Sequence, residues 1–162
     1  MLEVMGTKVI GIGEYAITDT HGDVIITYAL ATCVAMTVYS PIRRVAGMVH
    51  ISLPETTKHI ETKEPNIWSY ADTAVPMLIQ YVCYRYGCNK GELDIRIYGG
   101  ADSAQKSDIF KIGRRNVDAV SHALSLLDLN LNYCDVGGNK SRTIELFSDT
   151  GKVNVRYLPL RV

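Results

Sequence analysis

The chain has 162 residues, and its 17 lysines and arginines are balanced by 17 aspartates and glutamates. That length suits about one domain, large enough to bury roughly 70% of the surface exposed by the unfolded chain. The balanced charge argues against a generally basic nucleic-acid-binding surface and against a polybasic membrane anchor. Hydrophobic residues make up 47% and charged residues 21%, ordinary globular values that argue against disorder. No apolar run approaches the roughly 18 residues of a membrane helix. The start, Met1-Leu2-Glu3-Val4, lacks the basic-then-apolar pattern of a secretory signal. The expectation is a cytoplasmic protein with reduced thiols.

In chain order, Thr7 to Tyr15 reads as a strand interrupted by Gly11 and Gly13, glycines that suit a bulge or a close backbone approach. Without a third glycine and a following helix, they make a weak phosphate loop. Val24 to Leu30 is rich in β-formers. Val34 to Tyr39 alternates, Ser40 to Arg44 forms a turn around Pro41, and Val45 to Leu53 returns. Residues 34–53 therefore predict a β-hairpin. Pro54 to Asn66 reads as a polar loop.

Ala71, Ala74, Val75, Leu78, Ile79, Val82, Cys83 and Tyr86 form one helical stripe. Ser69 or Asp72 is placed to cap its start and Gly87 to stop it. Leu93 to Tyr98 alternates into Gly99-Gly100, Asn116 to Leu129 predicts a second helix, and Leu131 to Val136 another strand. Arg142–Phe147 and Lys152–Leu158 flank Asp149-Thr150-Gly151, a three-residue hairpin signal. About seven strands and two helices, with hairpins at both ends, predict an α+β fold with mixed or antiparallel sheets.

The cysteines are Cys33, Cys83, Cys88 and Cys134. No two form a C-x-x-C pair, so a zinc or thioredoxin-like site is poorly supported, and no cofactor or metal is expected. Cys83, Cys88 and Cys134 read as small buried hydrophobes. Of the four histidines, His21, His59 and His122 read as surface or capping groups. His50 lies inside a predicted strand, one hairpin arm across from Cys33. A two-residue turn at Pro41-Ile42 places Cys33 directly opposite His50, with Cβ atoms about 5 Å apart. A register slip of two keeps both side chains on one face as diagonal neighbours, whereas a slip of one separates them. A thiol with a pKa near 8.5 is mostly protonated at neutral pH. A contacting imidazole can take its proton, and the thiolate can then attack a carbonyl carbon.

Several ordered motifs carry a family resemblance. Leu30-Ala31-Thr32-Cys33-Val34-Ala35 is followed by Gly47-Met48-Val49-His50-Ile51-Ser52-Leu53-Pro54, Tyr70-Ala71-Asp72, Tyr98-Gly99-Gly100-Ala101 and Ile112-Gly113-Arg114-Arg115-Asn116-Val117. Asp135-Val136-Gly137-Gly138, Arg142 and Thr150-Gly151-Lys152-Val153 come after them, and Gly11-Ile12-Gly13-Glu14-Tyr15 before. Together they resemble the CheD family, the chemoreceptor glutamine deamidases, over nearly all of residues 1–162 as a single domain.

The resemblance implies hydrolysis of receptor glutamine side chains to glutamate, with release of ammonia. It implies Cys33 as nucleophile, His50 as general base and Thr27 as the group that orients the histidine. The hydroxyl of Thr32 competes with that of Thr27, but strand parity turns it to the other face. The implied fold is an αββα layered sandwich with two main helices, related to deamidating bacterial toxins. The implied partners are methyl-accepting chemotaxis receptors and a CheC-type phosphatase. The alternative is a non-catalytic binding module for either partner. Ala31 stands where the family has glycine, so the loop before Cys33 is expected to differ, because alanine resists positive φ. Ser141 also replaces a glycine. Gly99-Gly100 and the Pro54–Asn66 loop are expected to rim the cleft.

Overall fold

The structure, a computed structural model, describes residues 2–4, 6–56, 66–102 and 111–160. Among these residues ten strands form two five-stranded sheets. The first sheet contains β1 (Leu2–Val4), β2 (Thr7–Val9), β4 (Val24–Leu30), β9 (Lys140–Phe147) and β10 (Val153–Pro159), adjacent in that order. The second is ordered β3 (Tyr15–Thr18), β6 (Val45–Ile51), β5 (Val34–Ser40), β7 (Asp94–Gly99) and β8 (Tyr133–Val136). Parallel pairing of β2 with β4 and of β7 with β8 makes both sheets mixed. Two helices, α1 (Ala71–Tyr86) and α2 (Ile112–Leu126), complete the expected α+β fold. Both pack on the same face of the second sheet, so the described layers run helix pair, second sheet, first sheet. No helix among the described residues is long and apolar enough to cross a membrane.

Strands β5 and β6 are buried along their whole length because they sit between two layers. Their alternation sorts side chains between two cores. Val34, Met36, Val38, Val45, Val49 and Ile51 face the helices. Ala35, Tyr39, Ala46 and Met48 face the first sheet. His50 lies between Val49 and Ile51, and strand parity therefore turns it toward the first sheet.

The hairpin differs in detail from the expected register. Its loop takes four residues, Pro41 to Arg44, with Ser40 opposite Val45, and Arg44 closes it at φ 52°. His50 thus pairs with Ala35. Cys33, one residue before β5, falls diagonal to His50 instead of opposite it. This is the two-residue slip that preserves the shared face.

Helix α1 matches its predicted stripe and stops at Gly87, whose φ of 72° is left-handed and whose N–H bonds the Val82 carbonyl. Its start is different. Tyr70 is the N-cap, with no side-chain cap bond, and a 3₁₀ turn over Ile67–Ser69 precedes it. Asp72 instead accepts hydrogen bonds from Thr56. Helix α2 begins four residues earlier than predicted. Its first turn has no apolar stripe and is set by Gly113, where a Cβ would stand 2.1 Å from the Ala101 carbonyl oxygen. The predicted Thr7–Tyr15 strand is also broken. The chain leaves the sheet after Val9 and turns at Gly13, φ 72°, before starting β3.

Candidate active site

Three elements bring the predicted residues together. Thr27 comes from β4 in the first sheet, His50 from β6 in the second, and Cys33 from the short link between β4 and β5. Strand β4 carries a bulge after Thr27. Thr27 pairs with Ile144 but Leu30 with Arg142, and the register shifts between them. Ala29 absorbs the extra residue at φ 55°. The bulge lets both Thr27 and Leu30 point inward although their parity differs; both are fully buried. The strained residue before the cysteine is therefore Ala29, not Ala31.

The Thr27 hydroxyl donates to the Ile10 carbonyl at 2.9 Å. It has one proton, so at its 2.7 Å contact with His50 Nδ1 it accepts. That assignment puts the imidazole proton on Nδ1 and leaves Nε2 as the basic nitrogen. Nε2 is buried and has no hydrogen-bond partner among the described residues. The main chain of His50 is strapped on the other side, since its N–H donates to the Glu14 carbonyl at 3.1 Å and its carbonyl accepts from Gly13 N–H at 2.9 Å. Glu14 Oε1 accepts from the Gly11 N–H at 2.7 Å.

Cys33 and His50 line one cleft of about 770 Å³, together with Ile10, Gly11, Ile12, Glu14, Tyr28, Ala29, Ala31 and Thr32. Burial draws the His50 imidazole down from 6.5 to about 4, opposed by the nearby Glu14 carboxylate. Burial likewise pushes the Cys33 thiol up. At neutral pH the two groups that line this cleft are therefore both uncharged, a thiol and an imidazole that can accept a proton. A cysteine, a correctly protonated imidazole and a hydroxyl that fixes the ring can together perform acyl transfer at a carbonyl.

Other expectations fare differently. Thr32 lines the same cleft, because Ala31 and Thr32 form a bend outside any strand, where parity does not govern them. Of the two hydroxyls, that of Thr27 contacts the His50 ring, at 2.7 Å. Gly99-Gly100 does not rim the cleft; it backs the cysteine, with Gly100 N–H donating to the Cys33 carbonyl at 2.8 Å. Residues 57–65 of the predicted rim loop, including His59, lie outside the described residues. Cys134 is exposed and Cys83 only partly buried, so of the three packing cysteines only Cys88 is buried. Strand β8 lies at the sheet edge, which leaves Cys134 uncovered. His21 is exposed beside Asp149 at 2.8 Å.

Glu14 and Asn116 were not singled out from the sequence as site residues. For Asn116 a signal existed, as it lies on the buried face of α2 with Gly113, Val120 and Ala123, a lone amide in an apolar stripe.

The chain is similar to known proteins over nearly its full length. A protein from Syntrophotalea carbinolica named probable chemoreceptor glutamine deamidase CheD is 42% identical over 93% of this chain and 94% of its own length. The chemoreceptor glutamine deamidase CheD of Thermotoga maritima is 40% identical over 92% and 90%. A probable CheD deamidase of Pyrococcus abyssi is 38% identical over 91% and 89%. Among solved structures, the hypothetical protein YfiH of Bacillus licheniformis aligns at TM-score 0.46 and 12% identity over 75% of this chain and 49% of that one. The family model for CheD chemotactic sensory transduction matches residues 52–157, and on these relationships the chain belongs to the CheD family.

Proposed function

We propose that this chain is a protein-glutamine deamidase acting on chemoreceptors, with Cys33 as nucleophile, His50 as general base and acid, and Thr27 as the residue that positions the imidazole. The observation that carries this reading is the Thr27–His50 bond, which leaves Nε2 a proton acceptor in the cleft shared with Cys33. Nε2 takes the thiol proton as sulfur attacks the glutamine side-chain carbonyl. The tetrahedral intermediate collapses, Nε2–H protonates the departing nitrogen, and ammonia leaves behind a thioester. Water then attacks with Nε2 as base, and the returning proton restores the thiol as glutamate is released. Mass spectrometry of a receptor signalling domain incubated with the chain tests this. Amide-to-acid conversion at defined glutamines supports the reading, and an unchanged receptor removes it. The CheC-type phosphatase rests on family likeness alone. Binding of such a phosphatase that persists in Cys33→Ala would separate that role from catalysis.

Thr27→Val keeps the side-chain shape but removes the acceptor of Nδ1–H and the donor to Ile10. We expect kcat to fall roughly 10- to 100-fold, the scale of losing the partner that orients a metal-bound histidine, and stability to fall by about 1–3 kcal/mol from the orphaned polar groups. Steady-state kinetics beside a urea melt would show both, and an unaltered kcat would remove Thr27 from the machinery.

The direction of the two pKa shifts fixes the pH profile. The reactive form needs His50 unprotonated and the thiol proton still present on the pair. Since burial lowers His50 to about 4 and raises Cys33, kcat/KM should stay flat from neutrality down to about pH 5 and fall only around pH 4. An acid limb at the ordinary imidazole value near 6.5 would show that His50 is solvated in the working enzyme.

A further inference from the structure

The three carbonyls around the cysteine are all tied down. The Ala31 carbonyl accepts from Ala101 N–H at 2.8 Å and the Cys33 carbonyl from Gly100 N–H at 2.8 Å. Between them, the Thr32 carbonyl accepts from the Asn116 side-chain amide at 2.9 Å. The same Nδ2 also donates to the Ser52 carbonyl at 3.1 Å, two residues beyond His50. Asn116 is fully buried, and its Oδ1 has no partner among the described residues. Only its N–H groups are used, so an apolar residue would fill this site with less desolvation cost.

In a trans peptide the C=O and the following N–H point in opposite directions. Asn116 lies on α2, which packs against the helix-side core of the second sheet. It therefore draws the Thr32 carbonyl toward the helix layer and turns the Cys33 N–H away from it. The opposite side is where the cleft with Cys33 and His50 opens. The Cys33 N–H has no acceptor among the described residues.

Building on the deamidase reading, we propose that Asn116 is a positioning residue that aims the Cys33 backbone N–H into the cleft, where that N–H donates to the oxyanion formed from the glutamine side-chain carbonyl. The single amide of Asn116 also ties the nucleophile link to Ser52, the residue just past the strand of the base. Formation of the C–S bond moves the carbonyl electron pair onto oxygen, and a donor fixed in advance stabilises that charge without reorganising.

The test compares wild type, Asn116→Leu and Asn116→Asp on a receptor signalling domain and, separately, in alkylation by iodoacetamide. Alkylation is read at the Cys33 peptide because Cys134 is exposed. Displacement on iodoacetamide uses the thiolate and no oxyanion. The expected result is a kcat lower by about 10²-fold, the scale of losing one such donor, with KM unchanged and Cys33 alkylation within about twofold of wild type across pH. An unchanged kcat, or alkylation falling in proportion to kcat, overturns the proposal. Should the variants not fold, wild type labelled with ¹⁵N-cysteine is titrated with a peptide carrying an aldehyde in place of the glutamine amide. A downfield move of the Cys33 amide proton, absent when Cys33 is simply alkylated, supports the proposal, and an unmoved amide overturns it. Wild type inactive on the receptor fails the deamidase reading and this proposal with it. Active wild type beside a fully active Asn116→Leu fails this proposal alone.

Discussion

Cys33→Ala should lose receptor deamidation by at least about 10⁴-fold, the scale seen when a nucleophile is removed from a hydrolase that works as a unit. The same substitution should leave the fold intact. Cys33 is only partly buried, its side chain makes no hydrogen bond among the described residues, and it sits outside the strand ladder. Truncation there costs no more than about 1 kcal/mol, the scale of an ordinary point substitution. Circular dichroism and a denaturant melt beside the mass-spectrometric assay separate the two effects. A folded Cys33→Ala that still converts glutamine to glutamate would move the nucleophile elsewhere, and an inactive but unfolded one would show that the cysteine is structural.

Gly99→Ala should destabilise the protein by about 4 kcal/mol, among the larger effects of a single substitution. Two costs combine there. Gly99 has φ 106°, a region that L-residues occupy only with strain of about 1–3 kcal/mol. A Cβ at Gly99 would also stand 2.2 Å from the Cys33 carbonyl oxygen and 3.3 Å from its carbon. The clashing atoms are backbone and cannot rotate aside, so either β7 or the nucleophile link must shift. Activity should fall even in the fraction that folds. Gly91→Ala is the control, because nothing lies within 4 Å of its added Cβ and its φ is not positive. Urea midpoints of the two variants would check this, and a Gly99→Ala midpoint equal to that of Gly91→Ala would mean that the close approach is not rigid.

Much of the frame was legible because it rests on local periodicity. The stripe from Ala71 to Tyr86 is α1 with the same ends, since a single buried face at helical spacing leaves few other conformations. The double-sided burial of β5 and β6 accounts for their near-continuous apolar runs, and strand parity still separates the residues facing the helices from those facing the sheet. Parity also made the Cys33–His50 relation tolerant of error, because the observed four-residue loop shifts the register by two. Predictions failed where structure is set by contacts distant in sequence. The first turn of α2 depends on the Ala101 carbonyl against Gly113, and the break after Val9 depends on a strap to His50. Neither leaves a periodic trace.

The sequence by itself determined the fold class, the strands bearing the site and, through its ordered motifs, family membership. It also determined which cysteine stands beside a strand histidine, because alternation is a property of consecutive residues. Only the tertiary structure decided which imidazole nitrogen is basic. That choice passes from the Ile10 carbonyl through the Thr27 hydroxyl to Nδ1, across two sheets that no local pattern brings together. The aim of the Cys33 peptide was likewise decided by a helix eighty-four residues away in sequence, because a peptide plane turns to wherever its carbonyl finds a donor.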